Sequence, residues 1–136
     1  MASSYRWQHP HGLEILQGIV KRLVPSWKDG LTDIQALAVS RILGGEDVLL
    51  CTATGSGKSA SFAIPILVHQ ELSRNPTAYP RFRCRKLPVG IVVTPTNGLA
   101  ANIVCILSPL PISISLVMMI GIWTEGLRDQ WPGLYP

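Results

Sequence analysis

Residues 47–59, Asp-Val-Leu-Leu-Cys-Thr-Ala-Thr-Gly-Ser-Gly-Lys-Ser, restrict what the rest of the chain can build. Val48, Leu49, Leu50 and Cys51 form a short apolar run between turn residues, the pattern of a strand covered on both faces in a parallel sheet. Gly55 and Gly57 follow, and Lys58 and Ser59 open a stretch of helical character over residues 60–72. Glycine permits positive φ and removes the Cβ atoms that hold a main chain away from a bulky anion. The amides from Gly55 to Ser59, with the helix N-terminus, then form a nest of donors for phosphate oxygens. Lys58 adds a mobile charge for the β and γ phosphates and is the catalytic candidate, while the Ser59 hydroxyl suits a magnesium ion bridging them. The order strand, glycine turn, Lys-Ser, helix predicts a nucleoside triphosphate site. Thr52 stands at the first position of the eight-residue pattern, where glycine is expected, and the other seven positions fit.

Around this stretch there is room for one domain with a core and too little chain for two, at 136 residues. The charge is uneven. Residues 1–86 hold 11 of the 12 Lys and Arg, and residues 87–124 hold no charged side chain. Cys51, Cys84 and Cys105 are an odd, widely spaced set without a CxxC pair, which argues against a disulfide framework or a zinc site and for a reducing, intracellular setting, nucleus or cytoplasm. The first residues lack the apolar run of a secretory signal, and His9 and His11 read as solvated residues of a polar leader.

Before the glycine loop, Leu13, Leu16, Ile19, Val20 and Leu23 recur at helical spacing and Pro25 closes the run, predicting an amphipathic helix over residues 13–24. A second helix begins at Thr32 and ends at Gly44 and Gly45, with Ile34, Leu37, Ala38 and Ile42 as its apolar face. Gln35 lies three residues after Thr32, the spacing of a capping box. A carboxamide also carries the donor and acceptor that the N6 and N7 edge of adenine requires. Both readings of Gln35 stand at this level.

Beyond the loop, Phe62, Ile64, Ile66, Leu67 and Val68 predict a helix apolar nearly all round, kinked or restarted at Pro65. Arg81, Phe82, Arg83, Cys84, Arg85 and Lys86 place four cations in six positions, with Phe82 available to stack on a base. Residues 89–94, Val-Gly-Ile-Val-Val-Thr, predict a second central strand, and Thr96 caps a helix over residues 97–107. Strand, helix, strand over residues 47–94 makes a right-handed crossover that opens loops 52–59 and 94–98 on one sheet edge.

Three segments in this order resemble the adenine-reading glutamine motif, motif I and motif Ia of superfamily 2 helicases: Leu-Thr-Asp-Ile-Gln at 31–35, Ala-Thr-Gly-Ser-Gly-Lys-Ser at 53–59, and Thr-Pro-Thr-Asn-Gly-Leu-Ala at 94–100. The DEAD/DEAH and RecQ-like branches are the nearest, and RecQ-like proteins accept other residues at the place of Thr52. The resemblance implies an α/β fold, a partial RecA-like phosphate-loop NTPase domain with a parallel sheet between helices. It implies ATP and Mg2+ as cofactors, with Gln35 on adenine, Thr54, Gly55, Ser56, Gly57, Lys58 and Ser59 on the triphosphate, and Ser59 on the metal. Pro95, Thr96, Asn97 and Gly98 would touch a nucleic-acid backbone. Asn97 and Gly98 replace the Arg and Glu of the DEAD-box motif Ia, so this contact is expected to be weak.

An adjacent Asp-Glu pair after an apolar strand, which in such helicases holds magnesium and activates water, has no counterpart after residue 100, where only Glu125 and Asp129 are acidic. A second RecA-like domain with its arginine is likewise expected to be missing, and an arginine of that kind is worth about 10³ to 10⁵ in rate. The expectation is an ATP-binding fragment of a RecQ-like helicase, with DNA ahead of RNA as the strand, that does not hydrolyse ATP or unwind alone. Its divisions are a leader with an amphipathic helix at 1–26, a partial ATP-binding domain at 27–104 and a divergent apolar tail at 105–136. Residues 103–123 are uncharged and long enough to span a bilayer, but Pro109 and Pro111 leave only residues 112–123 unbroken, which suits a buried element better than a membrane anchor. The rivals are a small phosphate-loop kinase or NTPase of another class, for which residues 87–124 supply no charged catalytic group, and a membrane-associated nucleotide-binding protein.

Overall fold

The computed structural model describes residues 7–53, 55–94 and 96–110. Thr54, Pro95 and the apolar stretch from residue 111 onward lie outside the described residues. Four α-helices follow one another: α1 (Pro10–Leu23), α2 (Asp33–Leu43), α3 (Ala60–Arg74) and α4 (Asn97–Leu107). The first begins with Pro10, whose missing amide costs nothing in the first turn of a helix.

The core lies where α1, α2 and α3 meet. Leu16, Ile19 and Val20 of α1 pack with Ala36 and Val39 of α2 and with Ala63, Ile64, Leu67, Val68 and Leu72 of α3. Each large aliphatic side chain buried in this way contributes about 1.5–3 kcal/mol, so the five α3 residues outweigh the cost of about 3 kcal/mol that Pro65 brings inside a helix. The helix accordingly runs through the proline as one element.

The second helix corrects one expectation. Its buried positions are Ala36, Ala38, Val39 and Ser40, and Ile34 and Leu37 are each 54% exposed. Apolar residues occupy more than half of its circumference, and the face of small side chains is the one that lets its backbone approach its neighbours. Gln17 of α1 fixes the approach from below. Its Nε2 donates to Leu31 O at 2.7 Å and its Oε1 accepts from Leu31 N at 2.8 Å. Gly30 lies against this side chain with φ +76°, where any Cβ would overlap Gln17 Oε1.

The parallel sheet is not seen among the described residues. Among the described residues no strand is formed, and residues 48–53 and 89–94 run without a ladder. A strand needs a neighbour about 4.8 Å away to take its amides and carbonyls, and neither segment has one here. Leu49 is 91% exposed and Ile91 87%. Residues 48–53 alternate in exposure, with Val48, Leu50 and Thr52 half-buried and Leu49, Cys51 and Ala53 exposed. Residues 89–94 follow α3, since a Cβ on Gly90 would lie 2.6 Å from Ile66 Cδ1. The last helix, capped by Thr96 Oγ1 accepting from Leu99 N, reaches the core mainly through Leu107 and Ile103.

Candidate nucleotide site

The glycine loop joins residues 48–53 to α3, and its backbone takes the form the sequence requires. Gly55 and Gly57 have φ of +83° and +74°, values at which a Cβ meets the following carbonyl. Ser56 N donates to Ala53 O at 3.3 Å, closing the turn. After it, the amides of Gly57, Lys58 and Ser59 engage no acceptor among the described residues. They stand beside the first turn of α3, whose own free amides carry a partial positive charge. Ser59 makes no capping bond with its side chain, which leaves its hydroxyl to other partners.

Lys58 turns back over the loop. Its Nζ donates to Thr52 O at 2.9 Å and to Ala53 O at 2.7 Å. The ammonium is therefore held by neutral carbonyls, and no carboxylate pairs with it among the described residues. A charge in that condition is open to a stronger anionic partner. Thr52, which breaks the sequence pattern, has a local job: its Oγ1 and Ser56 Oγ are 2.6 Å apart across the turn.

Gln35 brings α2 to this loop. Its Oε1 accepts from Thr32 N at 2.9 Å while its own amide donates to Thr32 Oγ1 at 3.4 Å, completing the capping box. At the same time Nε2 donates to Gly57 O at 3.0 Å and reaches Ser56 O at 3.5 Å. One carboxamide thus spans a helix start and the glycine turn. The contact between residues 35 and 57 was not legible in the sequence, because nothing local records which helix end a glycine loop meets.

Among the described residues, residues 94 and 96–98 are not joined to this cluster. Thr96 is exposed, its carbonyl accepts from Thr94 Oγ1 at 3.2 Å, and Gly98 is exposed in the first turn of α4. No hydrogen bond among the described residues links residues 94 and 96–98 to residues 52–59. Phe82 is also not placed as expected: it is half-buried against Trp7, with ring centroids 4.3 Å apart. Stacking on a base would take it out of the core cluster.

His69, on α3, titrates below the ordinary value of 6.5, first because burial disfavours its charged form and second because Arg85 lies nearby. Its Nδ1 accepts from Arg85 N at 3.3 Å. No helix among the described residues is long and apolar enough to cross a membrane.

Comparison with known proteins agrees with the motif order and alters its finer reading. The profile of the DEAD/DEAH box helicase family matches residues 32–131. A probable ATP-dependent RNA helicase DDX4 of Bos taurus is 40% identical over 73 residues, covering 54% of this chain and 10% of the relative. The ATP-dependent RNA helicase DDX4 of Mus musculus is 38% identical over 73 residues, again 54% of this chain and 10% of the relative. The pre-mRNA-processing ATP-dependent RNA helicase PRP5 of Yarrowia lipolytica is 29% identical over 104 residues, 75% of this chain and 11% of the relative. The chain spans about a tenth of the length of these curated relatives. None of the solved structures matches it. The RecQ-like branch and the placing of DNA ahead of RNA find no support, since these relatives are named as RNA helicases. With a phosphate-type loop of two left-handed glycines, a glutamine tied to it and a family match over most of its length, the chain belongs to the DEAD/DEAH box helicases.

Proposed function

We propose that these residues form the ATP-binding part of an ATP-dependent RNA helicase. The reading rests on one observation above the others: among the described residues the amides of Gly57, Lys58 and Ser59 engage no acceptor, beside an ammonium held by carbonyls. Together they suit the oxygens of a triphosphate, with Thr54 to Ser59 as the cradle and Lys58 as the group that follows charge on the β and γ phosphates. Ser59 would hold magnesium, which would supply Lewis-acid neutralisation of phosphate charge. Gln35 reads adenine once its Nε2 leaves Gly57 O. Pro95 to Gly98 form a weak contact to the strand, and RNA is favoured over DNA because the relatives are RNA helicases. The division at residues 27–104 for this part, with leader and tail on either side, belongs to the same reading. These residues by themselves carry no Asp-Glu pair after the loop, and so bind ATP without appreciable hydrolysis or unwinding.

A thermal melt of the 136-residue chain with and without magnesium ATP tests this, with Lys58→Ala beside it. At a hundred times its dissociation constant a ligand stabilises the folded form by about 2.7 kcal/mol. A rise in melting temperature that Lys58→Ala abolishes is expected. An unchanged melt in saturating magnesium ATP would refute the reading.

A further inference from the structure

The segment after α3 sorts its side chains by turns. Phe82 and Cys84 pack against the core, while Arg81, Arg83, Arg85 and Lys86 are exposed. Arg81 and Phe82 lie in a turn, and Arg83 and Arg85 flank Cys84 on the solvent side. The row is anchored from within. Phe82 lies on Trp7, Phe82 N donates to Tyr79 O at 3.1 Å, and Arg85 N donates to His69 Nδ1.

No Asp or Glu occurs in the sequence between Glu71 and Glu125, and Glu71 is bonded to Arg22 and Asn75. Neither ion pair of the described residues includes Arg83, Arg85 or Lys86. Clustered like charges destabilise a compact state by self-repulsion, so such a row gains from a polyanion. Beside it a cavity of about 340 Å³ is lined by His9, His11, Gly12, Arg81 and Phe82, which brings two exposed imidazoles to the same edge. His69, which holds the row, lies ten residues along α3 from Ser59, about 15 Å at 1.5 Å per residue. The row is therefore separate from the phosphate loop.

We propose that Arg83, Arg85 and Lys86, with His9 and His11 at the adjoining cavity, form a second docking surface for an RNA strand, gripping its phosphates away from motif Ia. The proposal rests on the RNA helicase reading above. Guanidinium forks hold phosphate oxygens in pairs, and such contacts fix a strand without reading its sequence. Binding at this edge is accordingly indifferent to base identity.

The test is fluorescence anisotropy of a labelled oligouridine titrated with the full 136-residue chain over about 50 to 200 mM salt. The Arg83→Ala/Arg85→Ala/Lys86→Ala variant removes three cations. At about 0.7 per phosphate contact on a single strand, the slope of log affinity against log salt becomes shallower by about 2. Magnesium ATP still raises the melting temperature of this variant, which shows that it folds. Arg83→Lys/Arg85→Lys keeps the charges and keeps the slope. RNA binding with an unchanged slope in the triple alanine variant overturns this proposal alone. No RNA binding by the unaltered chain overturns it together with the RNA reading, and tighter binding of an oligoglutamate of equal charge overturns RNA as the occupant.

Discussion

Gly57→Ala is the sharpest perturbation of the candidate site, because two penalties meet there. The residue sits at φ +74°, and forcing a residue with a Cβ into the left-handed region costs roughly 1–2 kcal/mol. The new methyl would also overlap Gln35 Nε2, and moving that group aside loses its bond to Gly57 O, worth about 1 kcal/mol. The expected loss is about 2–3 kcal/mol, or about 8–12 °C in melting temperature at about 4 °C per kcal/mol for a chain of this size. Gly55→Ala separates the two effects. Its φ is +83° but the space around it is open, so it carries strain alone and loses about 4–8 °C. In a Gln35→Ala background the two alanine variants should cost the same, giving a coupling of about 1 kcal/mol between positions 35 and 57. Thermal melts of the five variants and the unaltered chain read this cycle. Equal losses for Gly55→Ala and Gly57→Ala with Gln35 in place would refute the contact.

Two further outcomes follow from single groups on α3. Because His69 binds its proton less readily folded than unfolded, its contribution is intact above about pH 6.5 and is lost as pH falls through the lowered folded value; melts between about pH 7.5 and 5 should drop more steeply for the unaltered chain than for His69→Gln, and parallel curves would refute this. Ser61 is buried and its Oγ has no partner among the described residues, so Ser61→Ala should raise the melting temperature by about 4 °C, removing about 1 kcal/mol of uncompensated desolvation; a fall would show that the hydroxyl is satisfied.

What the sequence made legible was local. Apolar spacing and caps placed all four helices to within about three residues, and the Thr32 and Gln35 pair formed the capping box that its spacing implied. The left-handed glycines of the loop were equally plain, since only their position before Lys58 and Ser59 was needed. What failed was non-local. Ile34, Leu37 and Ile42 formed a credible face, but a helix this apolar does not say which side its neighbours approach, and the small Ala36, Val39 and Ser40 side was chosen. Residues 48–53 and 89–94 have strand composition, yet a ladder is a property of pairs and neither has a partner among the described residues. Thr52 misled in a different way. It was weighed as the mark of a helicase branch, whereas its hydroxyl bonds Ser56 across the turn and so has a local purpose that says nothing about DNA or RNA.

The structure bears out the capping reading of Gln35, and the adenine reading remains a proposal about the same side chain. Its Oε1 faces Thr32 N and belongs to the cap, while its Nε2 faces Gly57 O and belongs to the loop. On the proposed function, adenine must displace at least the second bond. A neutral hydrogen bond of this kind is worth about 1 kcal/mol net, and one to the base would replace it, so the exchange is close to even. The loop, however, does not stay as it was: without Nε2 on its carbonyl, Gly57 is free to turn its amide, with those of Lys58 and Ser59, toward phosphate. Lys58 meets the same condition, since its bonds to Thr52 O and Ala53 O are weaker than one to an anionic oxygen. Base and phosphates therefore loosen the same turn from opposite ends, which predicts that ATP outcompetes inorganic triphosphate by more in the unaltered chain than in Gln35→Ala; equal discrimination by the two proteins, measured by competition against a labelled nucleotide, would show that the glutamine only caps its helix.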